Sequence, residues 1–150
     1  MTTRVLIAAA ALLLGGTSLV LAQAAPKPDE IIAARQAGMA MVGGIANLMK
    51  AGVESGVDPK VFEVPAAAMA KWGAAYVRLY PDGTQTGGNT KAKAEVWSDR
   101  AGFEKAATAF VAASTKLAEA AKSGDKAAFA AAFQAEGQSC GGCHRPYRAQ

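Results

Sequence analysis

The feature that most constrains this 150-residue chain is Cys140-Gly141-Gly142-Cys143-His144, which holds both cysteines and the only histidine of the sequence. On a helix, Cys140, Cys143 and His144 occupy positions i, i+3 and i+4, so they share one face. Two thiols at this spacing can reach the two vinyl groups of one porphyrin, and the adjacent imidazole can supply a nitrogen to its iron. The pattern predicts one covalently attached haem c, bound through these three residues.

Other uses of a close cysteine pair fit the sequence less well. A thioredoxin-like redox pair belongs at a strand-to-helix junction, whereas this pair lies in a helical segment of a chain without evident strands. A structural zinc site needs four ligands, and the two cysteines and one histidine supply only three. A plain disulfide in a haem-free helical scaffold is a weaker alternative, because it leaves His144 without a role.

The N-terminus has the three-part layout of a secretory signal. Arg4 supplies a positive charge, residues 5–14 are all apolar, and Ala22 and Ala24 are small residues at the two positions that a signal peptidase reads. The apolar run is shorter than the roughly 20 residues that a membrane-spanning helix needs. We therefore predict that residues 1–24 are a cleaved signal peptide, with the exact cleavage site left open, and that the mature protein is periplasmic. No later segment is expected to span a membrane.

The rest of the chain is rich in alanine and other residues that favour helices, and it contains four amphipathic stretches. The first three cover about 28–50, 58–79 and 95–122. The fourth begins after Asp125 and carries the two cysteines. Two short turns and one longer loop separate these stretches. They predict a single domain of residues 25–150, folded as an all-α, antiparallel up-down-up-down four-helix bundle with the haem near the C-terminal helix.

The single histidine also bears on the axial ligands of the iron. Bis-histidine ligation is impossible within one chain, so the sixth position holds a methionine or is open. Met39 lies on the inward face of the first predicted helix, and we assign it as the second iron ligand, with core filling as the alternative. Arg35, one turn earlier, is expected to pair with a haem propionate, unless its stem carries the charge to the surface. Arg148, four residues after His144, is placed on the proximal side of the haem, with a frayed basic C-terminus as the alternative.

The mature chain resembles class II cytochromes c, the family that includes cytochrome c′. The residues that carry the resemblance are Ala34-Arg35-Gln36 with Met39, Glu95-Val96-Trp97-Ser98-Asp99, Gly124-Asp125, and the haem motif followed by Tyr147-Arg148. The resemblance implies a haem held within the bundle, with Arg35 near a propionate, Arg148 on the proximal side and Met39 in the distal position. A methionine there binds iron in the low-spin branch of the family. In cytochrome c′ the iron stays five-coordinate and high-spin, and can bind NO or CO.

Together these features predict a periplasmic one-electron carrier whose iron is bound by His144 and Met39, because a thioether ligand stabilises ferrous iron. The alternative is a high-spin cytochrome c′ that binds NO or CO. We expect no enzyme activity, and we expect redox proteins of an electron-transfer chain as partners, with a homodimer left open. Signal removal takes away Arg4 and lowers the net charge from +4 to +3, and the sequence has no basic run that would indicate nucleic-acid binding.

Overall fold

The chain is helical over most of its length in the computed structural model, which describes residues 25–150. The predicted signal peptide, residues 1–24, lies outside the described residues. The helices are α1 (Pro28–Ser55), α2 (Glu63–Tyr76), α3 (Glu95–Ser98), α4 (Arg100–Ser123) and α5 (Lys126–Tyr147), with 3-10 turns at Pro59–Phe62 and Val77–Leu79. The extended pairing within residues 25–150 is a single isolated bridge between Ala92 and Arg148. The predicted four-helix bundle is confirmed, with α1, α2, α4 and α5 as its long helices.

The first helix is longer than the sequence predicts. It begins at Pro28, where the Glu30 carboxylate accepts a hydrogen bond from the Lys27 backbone amide at 2.8 Å. It continues through Gly52 and ends at Gly56, which adopts a left-handed backbone with φ of 70°. Gly52 lies inside the helix, beyond the predicted end near residue 50, and the Phe62 ring packs where a side chain at position 52 would be. This glycine therefore serves close packing rather than termination.

The second helix buries Ala66, Met69, Gly73 and Tyr76, whereas Ala68 and Ala75 are exposed. The register follows from Gly73, because a Cβ there would lie 2.6 Å from the Phe110 ring on α4. α2 and α4 thus approach most closely along a line that the apolar periodicity does not reveal.

The third predicted helix is broken at Asp99, whose backbone leaves the helical region at φ −118° and ψ 56°. The Asp99 carboxylate caps α4 by accepting from the Gly102 amide at 3.1 Å, and it also accepts from the Tyr147 hydroxyl at 2.7 Å. The start of α4 is therefore tied to the end of α5. The predicted turn into α5 is confirmed, since Gly124 has φ of 75° and Asp125 accepts from the first amides of that helix.

The long helices are packed unevenly. α4 lies between α2 and α5 and packs closely on both, whereas α1 approaches α2 and α5 at fewer points. One core cluster lies between the helices around Met49, Met69, Leu117 and Phe129. The second cluster is aromatic and contains Tyr76, Tyr80, Val96, Phe103 and Tyr147. The looser packing of α1 leaves space for a cavity between it and the other helices.

By length and composition alone, α1 is long and apolar enough to cross a membrane. No such segment after residue 24 was expected from the sequence, and on this criterion that expectation was too strict. A core helix of a globular domain passes the same test. α1 packs against other helices of the bundle and buries the charged side chain of Arg35. We therefore describe it as a helix of the folded domain.

Candidate haem site

A cavity of about 590 Å³ opens between α1 and the aromatic cluster. Its walls come from α1, α2, α4, α5 and the segment that precedes α4. The side chains on the wall are mostly apolar or aromatic, among them Met39, Val42, Tyr80, Phe103 and Phe110. A volume of this size is within the range of cofactor and ligand pockets, which are largely apolar with a few polar groups.

The three residues of the haem motif lie together on this wall. Cys140, Cys143 and His144 all line the cavity, because α5 continues without a break through the motif. Gly142 has no neighbour within 4 Å of the position that a Cβ would take, so the short segment between the thiols is unobstructed on that side. The cavity and the donor set therefore fit a porphyrin joined to α5 by two thioether bonds.

The ionisation of these groups suits attachment rather than redox catalysis. Burial raises the pKa of the Cys140 thiol, and the nearby Glu136 carboxylate raises it further. Burial likewise raises the pKa of the Cys143 thiol. Both effects oppose the thiolate form that a thioredoxin-like pair requires. Burial lowers the pKa of His144, and the charge of Arg148 adds to this effect, so the imidazole is neutral near neutral pH and can bind a metal ion.

Arg148 lies on the cavity wall beside His144. Its amide donates to the His144 carbonyl at 3.0 Å and ends α5. Two contacts hold this end of the helix in place. Arg148 forms an isolated β-bridge with Ala92, and the Lys93 amide donates a hydrogen bond to the Tyr147 carbonyl at 3.0 Å. The structure therefore brings Arg148 to the same part of the cavity as the predicted proximal ligand, and its effect on the iron stays a prediction.

Arg35 is also on the wall, but it already has partners within the chain. The side chain is 2% exposed, and its guanidinium lies 4.4 Å above the Tyr80 ring. It donates to the Leu79 carbonyl at 3.2 Å, to the Thr84 hydroxyl and carbonyl at 2.9 and 2.8 Å, and to the Thr90 hydroxyl at 2.7 Å. The predicted contact between Arg35 and a haem propionate was based on the need of a buried guanidinium for hydrogen-bond acceptors. The loop between α2 and α3 already supplies such acceptors, so the contact stays a prediction.

Met39 is the one methionine of the described residues that lines the cavity. It is half-buried and packs against the aromatic cluster. Met41 on the same helix is 64% exposed, whereas Met49 and Met69 are buried in the other core cluster. The structure therefore brings Met39, and no other methionine of the described residues, to the cavity wall.

Two polar pairs near the cavity were not predicted. Tyr76 and Tyr80 share a buried hydrogen bond of 2.7 Å between their hydroxyls, and both line the cavity. Glu136, one turn before Cys140, is buried and accepts a hydrogen bond from the Ser114 hydroxyl at 2.9 Å. The four-residue spacing of the two tyrosines is a weak sequence signal for their contact. The position of Glu136 beside the apolar face of α5 is a weak sequence signal for its burial.

Comparison with known proteins bears directly on the identity of this site. The profile of the cytochrome c′ family matches residues 30–148, which include all five helices except the first two residues of α1. A cytochrome c′ from Rubrivivax gelatinosus is 35% identical over 126 residues, covering 81% of this chain and 96% of that protein.

This chain belongs to the cytochrome c′ family.

Solved structures of cytochromes c′ agree with this assignment. A cytochrome c′ described as having ligand-controlled dimer dissociation is 33% identical, with a TM-score of 0.79, and covers 85% of this chain and 100% of its own. A ferrous arginine-to-lysine variant from Alcaligenes xylosoxidans with bound NO is 27% identical, with a TM-score of 0.75, and covers 85% and 99%. Cytochromes c′ carry one covalently attached haem c, which confirms the predicted cofactor.

The prediction of a low-spin electron carrier with His144 and Met39 as iron ligands is wrong. The family match and the relatives of high coverage are cytochromes c′, whose iron is typically high-spin and five-coordinate. The physical basis of the error is that a methionine facing a cavity can be an iron ligand or simply a flexible apolar wall. Sequence periodicity places Met39 on the wall but carries no information on a bond to iron. That Met39 contacts the haem without binding its iron stays a prediction.

Proposed function

We propose that this cytochrome c′ binds NO or CO at a five-coordinate ferrous haem. The observation that carries the proposal is the apolar wall which α1 presents to the cavity, built around Met39, Val42 and Ala46. The only histidine of the chain lies on α5, so no second imidazole competes for the iron. Bound haem would supply an iron with one free coordination position, at which a small diatomic ligand can bind.

The residues of this chain would select the ligand by polarity and size. The two thioether bonds at Cys140 and Cys143 would fix the haem against α5, and the neutral His144 imidazole would bind from that side. Apolar side chains on α1 favour small uncharged molecules, because such ligands need no polar partner from this wall. NO and CO meet both conditions.

We also propose a binding role rather than catalysis. Among the candidate nucleophiles on the wall are the tyrosine pair and the two cysteines. Burial raises the pKa of the Tyr76 and Tyr80 hydroxyls and of both thiols, so these groups stay protonated at neutral pH and are weak nucleophiles. A periplasmic redox protein would supply the electron that brings the iron to the ferrous state, which is the role left for the predicted redox partners.

Titration of the ferrous protein with CO tests the proposal. We expect saturable uptake of one CO per chain, monitored by absorption, with NO giving the same stoichiometry. The ferric protein is the control for CO, because CO requires the electron-rich ferrous ion. Failure to take up CO at saturating concentration would refute an open coordination position.

We place the mature protein in the periplasm, because haem is joined to c-type cytochromes outside the cytoplasm. The charged, apolar and small-residue pattern of residues 1–24 supports export. The intact mass of the protein from a periplasmic extract should correspond to the chain without about 24 residues and with one haem added. A full-length mass, or a haem-free mass, would contradict this placement.

We further propose a homodimer formed through α1 and the start of α2. Met41 and Leu48, two turns apart on one face of α1, are 64% and 67% exposed, and Val64 at the start of α2 is 77% exposed. Large apolar side chains exposed along neighbouring elements are typical of an interaction surface. The related cytochrome c′ with ligand-controlled dimer dissociation supports a second copy as the partner.

A further inference from the structure

Glu136 is a buried carboxylate with an unusual lack of partners. Its side chain is 1% exposed and lies within the bundle on α5. Oε1 accepts from the Ser114 hydroxyl at 2.9 Å, whereas Oε2 is buried with no hydrogen-bond partner among the described residues. Buried polar atoms are almost always paired, since an unpaired one loses its hydration without compensation. An exception at this position calls for an explanation.

The surroundings of Glu136 keep its two protonation states close in free energy. Burial raises its pKa to about 7, and the hydrogen bond from Ser114 opposes that shift. No charged side chain of α1, α2 or α4 contributes to the shift among the described residues. On α5 itself the nearby titratable group is Cys140, which becomes an uncharged thioether once haem is attached. The carboxylate therefore depends on the few remaining charges near it.

The charge of the haem iron would act on Glu136, because Glu136 and the haem-attachment residues lie on the same helix. Glu136 precedes Cys140 by four residues, so both lie on the same face of α5. It precedes His144 by eight residues, which corresponds to about 12 Å along the helix axis. Ser139 and Cys140 line the cavity. Glu136 is therefore one helical turn from a residue of the cavity wall, and its side chain is shielded from solvent.

We propose that Glu136 is a proton-binding site coupled to the charge of the haem iron. When a one-electron reductant converts the ferric to the ferrous iron, the Glu136 carboxylate takes up a fraction of a proton from solvent on average. On oxidation the electron leaves for an acceptor and the same fraction of a proton returns to solvent. The proton therefore offsets part of the charge that the electron brings to the buried region. The inference rests on the covalent haem and does not depend on whether the iron binds a gas.

The size of the coupling follows from Coulomb's law. If the added charge acts over a distance comparable to the axial separation of about 12 Å between Glu136 and His144, an effective dielectric constant of about 20 gives a change of roughly one unit in the pKa of the carboxylate. The extra positive charge of ferric iron favours the ionised carboxylate, so oxidation lowers the proton affinity of Glu136 and reduction raises it. The reduction potential should therefore fall as the pH rises through the neutral range.

The test is the pH dependence of the reduction potential of the haem-loaded protein between about pH 5 and 9. In the parent protein the reduction potential should decline with rising pH around neutrality. In Glu136→Gln the haem should be retained and this decline of the potential should be lost. The matched control is Glu119→Gln, which removes an exposed glutamate of α4 and should leave the decline intact. A decline of the same size in Glu136→Gln would overturn the proposal.

A second variant and a second readout guard against a folding defect. Ser114→Ala removes the hydrogen bond that lowers the pKa of Glu136, so the decline should move to higher pH rather than vanish. Redox-difference infrared spectra near neutral pH should show the carbonyl band of a buried carboxylic acid gaining intensity on reduction, and Glu136→Gln should lack it. Absence of that band in the parent, or an unmoved decline in Ser114→Ala, would refute Glu136 as the site. Neither readout uses NO or CO, so failure here and failure of gas binding can be told apart.

Discussion

The indole ring of Trp72 lies directly against the α-carbon of Gly38, where helices α1 and α2 cross beside the cavity. A Cβ at position 38 would collide with three atoms of the six-membered part of the ring. Gly38 precedes Met39, so this contact sets how far α1 stands from α2 at the cavity wall. The absence of a side chain at position 38 is thus part of the construction of the site.

Gly38→Ala should destabilise the folded protein by about 1–3 kcal/mol, because an added methyl group forces the ring or the helix to move. Denaturant unfolding of the haem-loaded protein measures the effect. Gly44→Ala is the control, since nothing lies within 4 Å of a Cβ there. That substitution should stabilise α1 by about 0.5–1 kcal/mol. Equal effects of the two substitutions would contradict the packing that we describe.

Arg35 should act chiefly as the anchor of the loop between α2 and α3. Arg35→Met removes the donors that hold Leu79, Thr84 and Thr90 and should lower the free energy of unfolding by roughly 2–4 kcal/mol. Hydrogen exchange should accelerate at the Thr90 amide, which is bonded within the loop. Arg78→Met, at an exposed position, should change neither. Unchanged loop exchange in Arg35→Met would show that the loop is held by other contacts.

Glu136 should make the protein more stable at mildly acidic pH. The pKa of this carboxyl is about 7 in the folded chain, above the value of 4.5 for an unperturbed group, so the folded state binds the proton more tightly than the unfolded state. The resulting stabilisation is complete below about pH 4.5 and is lost as the pH rises through about 7. Unfolding free energies at several pH values should fall over this window by about 2–4 kcal/mol in the parent. A similar fall in Glu136→Gln would assign the effect to other groups.

Leu48→Glu should weaken the proposed homodimer by roughly tenfold or more, because it places a charge in the apolar surface on α1. Sedimentation velocity over a range of concentrations measures the change. Lys50→Glu places a carboxylate on another side of the same helix and should affect association far less. The absorption spectrum should be unaltered in both. A monomeric parent protein would contradict the dimer directly.

Features set by neighbouring residues were predictable from the sequence. The turn at Gly124 and Asp125 follows from capping residues that are adjacent in the sequence, and the alignment of Cys140 with His144 follows from their spacing along one helix. Features that depend on distant contacts were not. The buried face of α2 follows the approach of Phe110 to Gly73, and the partners of Arg35 come from residues about 50 positions later in the chain. Whether Met39 binds iron depends on a distance that no periodicity encodes.

The absorption spectrum of the ferrous protein, recorded before and after addition of CO, shows directly whether the iron has an open coordination position. We expect a broad high-spin spectrum that shifts on CO, with Met39→Leu giving the same high-spin spectrum before the gas is added. Sharp low-spin bands that CO leaves unchanged, and that disappear in Met39→Leu, would show that Met39 binds the iron and would contradict an open coordination position.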